Sequence, residues 1–132
     1  MIAGIIEILS ENTPLVALLG TDKIFPLVVN ENTAPPYLAV SLAATGANYS
    51  KQEVSSMDFP VVNINVHAKD YDSLEQVSEA VRVALDEQQS LTDAGYEFDR
   101  IYFINAFDRA DLYTVERPLY ARSVQFNVIV RR

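Results

Sequence analysis

The chain contains no cysteine and no tryptophan, and it has one histidine, His67, among 132 residues. Without a thiol there is no disulfide, no thiolate zinc site and no thiol redox chemistry, and a lone imidazole cannot build a multi-histidine metal site. Composition leaves open only metal binding through carboxylates. Glycine is scarce too: Gly4, Gly20, Gly46 and Gly95 are isolated. They supply neither a G-x-G-x-x-G turn, nor a phosphate loop, nor a G-x-S-x-G nucleophile elbow. Positive charge is in deficit, with 10 Lys and Arg against 18 Asp and Glu and a formal charge of −8. The deficit is shared equally by the two halves, so no basic arm stands out. Such a balance opposes a general grip on nucleic acid, which rests mainly on phosphate neutralisation. Long apolar runs are also missing. The opening MIAGIIEILSENTPLVALLG is interrupted by Glu7 and Glu11 and lacks the basic start of a signal peptide. No stretch reaches the roughly 18 apolar residues of a membrane span. The expectation is one soluble domain over residues 1–132, kept in a reducing compartment. A chain of this size buries about two thirds of its unfolded surface and needs no staple.

What is present reads as alternating helix and strand. Ile2, Ile5, Ile6 and Leu9 recur at helical spacing, which predicts a short amphipathic helix. Asn12 or Thr13 then caps a second helical turn, with Pro14 near its start and Gly20 beyond its end. KIFPLVV, residues 23–29, favours an edge or irregular strand because Pro26 removes an amide donor. YLAVSLA, residues 37–43, is a strand. Residues 44–58, rich in small polar side chains, predict a long hairpin arm or a mobile loop. From 59 to 68 the alternation is clearest: Val62, Ile64, Val66 and Ala68 share one face, and Asn63, Asn65 and His67 the other. Asp72 and Glu75 fit a capping box. It would open a helix over about 73–89, roughly 25 Å long at 1.5 Å per residue, with Leu74, Val77, Val81 and Leu85 in one stripe. Ser90 to Gly95 read as a linker. A strand over 99–107 would place Ile101, Phe103 and Phe107 on one face, and a last strand would run over 121–130. The class is α+β, a mostly antiparallel or mixed sheet of about four to five strands packed against an N-terminal helix and a longer central helix.

Catalytic chemistry finds little footing. His67 lies on the polar side of its strand, a position suited to solvent or a subunit contact. Asp70, Asp72, Glu75 and Glu79 are accounted for by helix-end electrostatics and solvation. Asp108, Arg109 and Asp111 match no metal-loop spacing. The arginines of the last third are interrupted by acids, a pattern that suits protein contacts better than DNA. Tyr49, Val54, Met57 and Phe59 could either anchor the arm on a neighbouring subunit or cover the domain's own core edge.

The order LVALLG, TDKIFPLVV, PPYLAVSL, VVNINVHAKDYDSLEQVSEAVRVAL and a final FNVIV resembles the bacteriophage tail completion, or tail terminator, family of small virion proteins. That resemblance covers nearly the whole chain and lies in order and spacing. It implies a non-enzymatic subunit, without cofactor, metal or catalytic residues. Such a subunit assembles in the host bacterial cytoplasm into a ring, typically a hexamer, at the head-proximal end of a phage or prophage tail. Its partners would be copies of itself, the tail-tube protein and the head–tail connector protein, with no membrane and no specific nucleic acid. Under this reading Tyr49, Lys51, Glu53 and Phe59 are candidate subunit contacts, and Asp108, Arg109, Asp111 and Arg117 are candidate docking charges. The alternatives are another head–tail connector component, such as an adaptor or stopper, a minor tail subunit, or a small ligand-binding protein or hydrolase. The last two would require a concave pocket with convergent polar groups.

Overall fold

A computed structural model describes residues 2–20, 23–26, 35–44, 47–49, 54–58, 60–86, 88–93, 96–109 and 119–131. Along the chain run α1 (Ile2–Ser10), α2 (Thr13–Leu19), β1 (Ile24–Pro26), β2 (Tyr37–Ala44), β3 (Ala47–Tyr49) and β4 (Val54–Asp58). They are followed by β5 (Val61–Ala68), α3 (Tyr71–Leu85), β6 (Gln88–Asp93), β7 (Tyr96–Arg109) and β8 (Tyr120–Arg131). The fold is the expected α+β arrangement, a mixed sheet with helices on one face.

β5 and β8 form the centre of the sheet. β2 pairs antiparallel with β5, and β1 adds to β2 in parallel at that edge. On the other side β7 pairs with β8 from Glu97 to Arg109, and β6 pairs with β7. The β3–β4 hairpin joins where Met57 and Asp58 meet Arg131 and Val130. Within the middle segment, β3 and β4 pair antiparallel, and residues 45, 46 and 50–53 lie outside the described residues.

Strict alternation makes β5 the sheet's clearest two-faced strand. Val62, Ile64, Val66 and Ala68 are buried, and their neighbours Val124, Phe126 and Val128 on β8 continue the same face. The apolar stripes of the helices close over it: Ile5 and Leu9, Leu15 and Leu19, then Leu74, Val77, Val81 and Leu85. Each such side chain, fully buried, contributes on the order of 1.5–3 kcal/mol. Among the described residues no single helix is long and apolar enough to cross a membrane; α1 and α2 reach that length only jointly, across an 86° bend.

Helix ends follow from local hydrogen bonding. Asn12 Oδ1 accepts the Leu15 N–H at 3.0 Å, and Gly20 ends α2 at φ +85°, a left-handed conformation that costs a residue without a Cβ little. α3 departs from expectation at both ends. Its cap is Asp70, whose Oδ1 accepts the Ser73 N–H at 2.7 Å, so Asp72 lies inside the first turn and is no cap. The helix stops at Leu85, not 89. Asp86 there turns its carboxylate to accept the Phe103 N–H at 2.9 Å, and Gln88 begins β6. The expected linker over 90–95 is therefore largely strand, because Gln88–Asp93 pair with the extended first half of β7.

β7 carries the largest correction. Its register slips between Phe98 and Arg100 and again between Phe103 and Asn105, so it holds two bulges, each adding one residue and reversing the side-chain phase. Phe98 and Ile101 are both buried and pair in register with Val130 and Val128. Beyond the second bulge Phe107 lies opposite Ser123, while Phe103 lies opposite Phe126. Phe107 thus leaves the face it was expected to share with Ile101 and Phe103.

Candidate functional site

The second bulge builds two surfaces at once. On the helix face it brings Asp108 opposite Arg122, where Arg122 Nε donates to Asp108 Oδ1 at 2.5 Å. The Tyr71 hydroxyl donates to Asp108 Oδ2 at 2.7 Å and accepts from Arg122 Nη2 at 2.9 Å. Glu75 stands 3.9 Å from the same guanidinium. The Arg122 hydrogen bond, followed by that of Tyr71, holds the Asp108 carboxyl below its usual range. Donation to Asp108 raises the Tyr71 phenol, and the Asp108 carboxylate likewise raises the Arg122 guanidinium. The network ties the first turn of α3 to the far ends of β7 and β8. Beside it a groove of about 320 Å³ runs between α3 and β7, lined by Glu75, Ser78, Glu79, Arg82, Phe103, Ala106, Arg122 and Val124. Arg82 lies over the Phe103 ring at 4.0 Å and pairs with Asp86 at 3.7 Å. Both arginines are thus engaged inside the molecule, and no group of three metal-ligating side chains occurs among the described residues.

The opposite face of the sheet carries no described helix. Its central rows are Asn63, Asn65 and His67 of β5 and Ser123, Gln125 and Asn127 of β8. Three of these groups, Asn63, Asn65 and Ser123, are joined by hydrogen bonds, while Asn63 Oδ1 is buried without a hydrogen-bond partner among the described residues. Asn65 Oδ1 accepts from the Ser123 hydroxyl at 2.6 Å and from Asn63 Nδ2 at 3.3 Å, while Asn127 Nδ2 donates to the Tyr102 hydroxyl at 2.5 Å. Tyr37 stacks on His67 with ring centres 4.8 Å apart. On β7 Arg100 lies over the Tyr102 ring at 5.5 Å. Phe107, 44% exposed, and the bulge residue Ile104, 46% exposed, stand at the same strand. Among the described residues of β5, β7 and β8, exposure at this face is confined to β7, at Arg100, Ile104, Asn105 and Phe107, while Tyr37, Ala39, Ala121 and Ser123 are buried.

The expected site residues fare unevenly. Asp108 is engaged inside the molecule by Arg122 and Tyr71. Arg109 ends β7 opposite Ala121, and Tyr49 ends β3 opposite Val54. Lys51, Glu53, Phe59, Asp111 and Arg117 lie outside the described residues. Sequence reasoning missed Phe107 and Ile104 as surface groups. The available signal was the spacing of Phe98, Ile101, Phe103 and Ala106, which runs three, two, three and so breaks strand alternation twice. It also missed the Tyr71–Arg122 contact, which joins residues 51 apart and leaves no local pattern.

No protein-family model and no curated protein matches the chain. Among solved structures, the fold matches a chain in the virion of a native gene transfer agent (GTA) particle. The TM-score is 0.75 at 19% sequence identity, over 98% of this chain and 93% of that one. A virion particle contains this fold. The likeness spans almost the full length of both chains.

Proposed function

We propose that the chain is a non-enzymatic structural protein of a phage-like virion, and that within the virion it is a tail terminator: a ring subunit that caps the head-proximal end of the tail tube and presents the surface that joins tail to head. The observation that carries the virion reading is the full-length fold likeness to a chain of a virion particle. The tail-terminator assignment rests on the order of sequence segments quoted above. The described surfaces support an assembly role. They hold an exposed patch on β7 around Ile104 and Phe107 and an internally paired ionic network around Arg122. A heterologous interface that closes into a ring suits the task, since closure limits growth within the ring and leaves other faces for the tube and connector.

The test is direct. Purified protein mixed with purified tail tubes of its phage should appear in electron micrographs as a ring at one end of each tube, and added tube subunits should no longer lengthen that end. Tubes that lengthen at an unchanged rate, with bare tips, would overturn the proposal. Attachment at the portal side of isolated heads, with none on tubes, would replace it with a neighbouring connector component.

A further inference from the structure

The outer edge of β7 is covered along only half its length. β6 pairs with it as far as Ile101, opposite Gln88. From Tyr102 to Arg109, β7 has β8 on one side and no described strand on the other. An edge of this kind presents backbone donors and acceptors on which another extended chain can build. The exposed side chains of Ile104 and Phe107 raise that hazard. Along an antiparallel ladder, alternate residues turn their N–H and C=O groups away from the paired strand. Phe103 is in that outward phase, and the bulge at Ile104 passes the phase on to Ala106 and then to Asp108. The first two outward donors are already taken. The Phe103 N–H donates to Asp86 Oδ1 at 2.9 Å, and the Ala106 N–H to Asn105 Oδ1 at 2.9 Å. The third outward residue, Asp108, is engaged by Arg122 and Tyr71.

We infer that Asp86 and Asn105 guard this edge: their side-chain oxygens take the hydrogen bonds that an incoming strand would have to accept, and so bar the sheet from growing beyond β7. The placement of the two residues fits the task. Asp86 is the residue on which α3 ends, and the cover given by β6 begins only two residues later, at Gln88. Its carboxylate is held in place by Arg82, whose Nε lies 3.7 Å from Oδ2 while its guanidinium lies over the Phe103 ring at 4.0 Å. Oδ1 is thereby left to the Phe103 N–H. An ionised carboxylate has no donor of its own, so it ends the ladder and offers a further strand nothing to accept. Asn105 stands at the bulge, where the extra residue has already broken the even spacing that a neighbouring strand must match. Contacts at Ile104 and Phe107 are then confined to side chains, and the backbone beside them stays closed. The inference goes beyond the ring reading and does not depend on it.

The experiment uses the full chain without tail tubes and reads backbone amide exchange by nuclear magnetic resonance and mass by sedimentation. In wild type the Phe103 and Ala106 amides should exchange slowly although no strand faces them. Asp86→Ala should speed exchange at Phe103, and Asn105→Ala at Ala106, each by about threefold to tenfold, the scale of one net hydrogen bond. Asp86→Asn keeps an acceptor oxygen and should leave Phe103 slow, which separates hydrogen bonding from charge. With both guards removed, the strand available in purified protein is the same edge of a second copy. The double variant Asp86→Ala, Asn105→Ala should therefore gain mass with concentration beyond wild type. Adding Ala106→Pro, which deletes an outward donor, should abolish that gain. If Asp86→Ala does not fold, Asn105→Ala alone carries the same two readings at Ala106. Fast exchange at both amides in wild type would overturn the side-chain hydrogen bonds as plugs. A double variant whose mass matches wild type at every concentration would overturn their role as guards.

Discussion

At the scale of single residues, the informative group is Asp108, which connects Tyr71 and Arg122 at one end of the sheet. Its carboxyl titrates below the usual range because Arg122 and then Tyr71 hydrogen-bond the charged form. A depressed folded-state pKa means that its contribution is complete above the unfolded value of about 3.9 and is lost as pH falls through the lower folded value. Asp108→Asn should therefore cost stability at pH 7, within the roughly 0.2–1 kcal/mol of an exposed pair. The difference between variant and wild type should shrink toward zero as the pH falls through the carboxyl's lowered folded-state value. Urea denaturation at a series of pH values measures it, and a difference constant down to the lowest pH would contradict the assignment. The sequence marked Asp108 as a charge for a partner. Its intramolecular partners became visible only once two strands and a helix start were brought together.

At the scale of elements, α3 and β7 show how far local pattern reaches. The helix was legible from its stripe, since Leu74, Val77, Val81 and Leu85 must share a face at 3.6 residues per turn. Its cap was not, because Asp70 and Asp72 both precede plausible first turns and only the direction of the chain leaving β5 selects between them. Asp70→Ala should lower stability by about 0.5–2 kcal/mol as a lost cap, while Asp72→Ala, already within the helix, should change it by no more than about 0.5 kcal/mol. Thermal melting of the two variants separates them, and equal effects would put the cap elsewhere. In β7 the existence of a strand was legible and its facing was not. A bulge costs one ladder position, and whether it forms depends on what the partner strand and the covering helix accept. The burial of Phe98 and Ile101 together required the first phase break, and the pairing of Asp108 with Arg122 accompanies the second.

At the scale of the whole molecule, the sheet has a core face and an open face, and substitutions should register that difference. Phe126→Ala, at a fully buried position between β5 and β7, should cost about 3–5 kcal/mol. Gln125→Ala, one residue away on the open face, should stay within about 0.5 kcal/mol of wild type. Chemical denaturation of the isolated protein decides it, and comparable losses would mean that the open face is itself a core. The amino-acid sequence by itself determined the α+β class, the two main helices and the two faces of β5. It also determined the exclusion of thiol and multi-histidine chemistry. All of these follow from composition or from periods of two and 3.6 residues, which are properties of a single segment. The tertiary structure alone decided the order of strands, the β6 pairing and the outward turn of Phe107. It alone decided the Tyr71–Asp108–Arg122 contact. Each of these depends on which distant segments lie side by side. Strand register sets that, and register is fixed by burial summed over the whole core, not by the residues of any one strand.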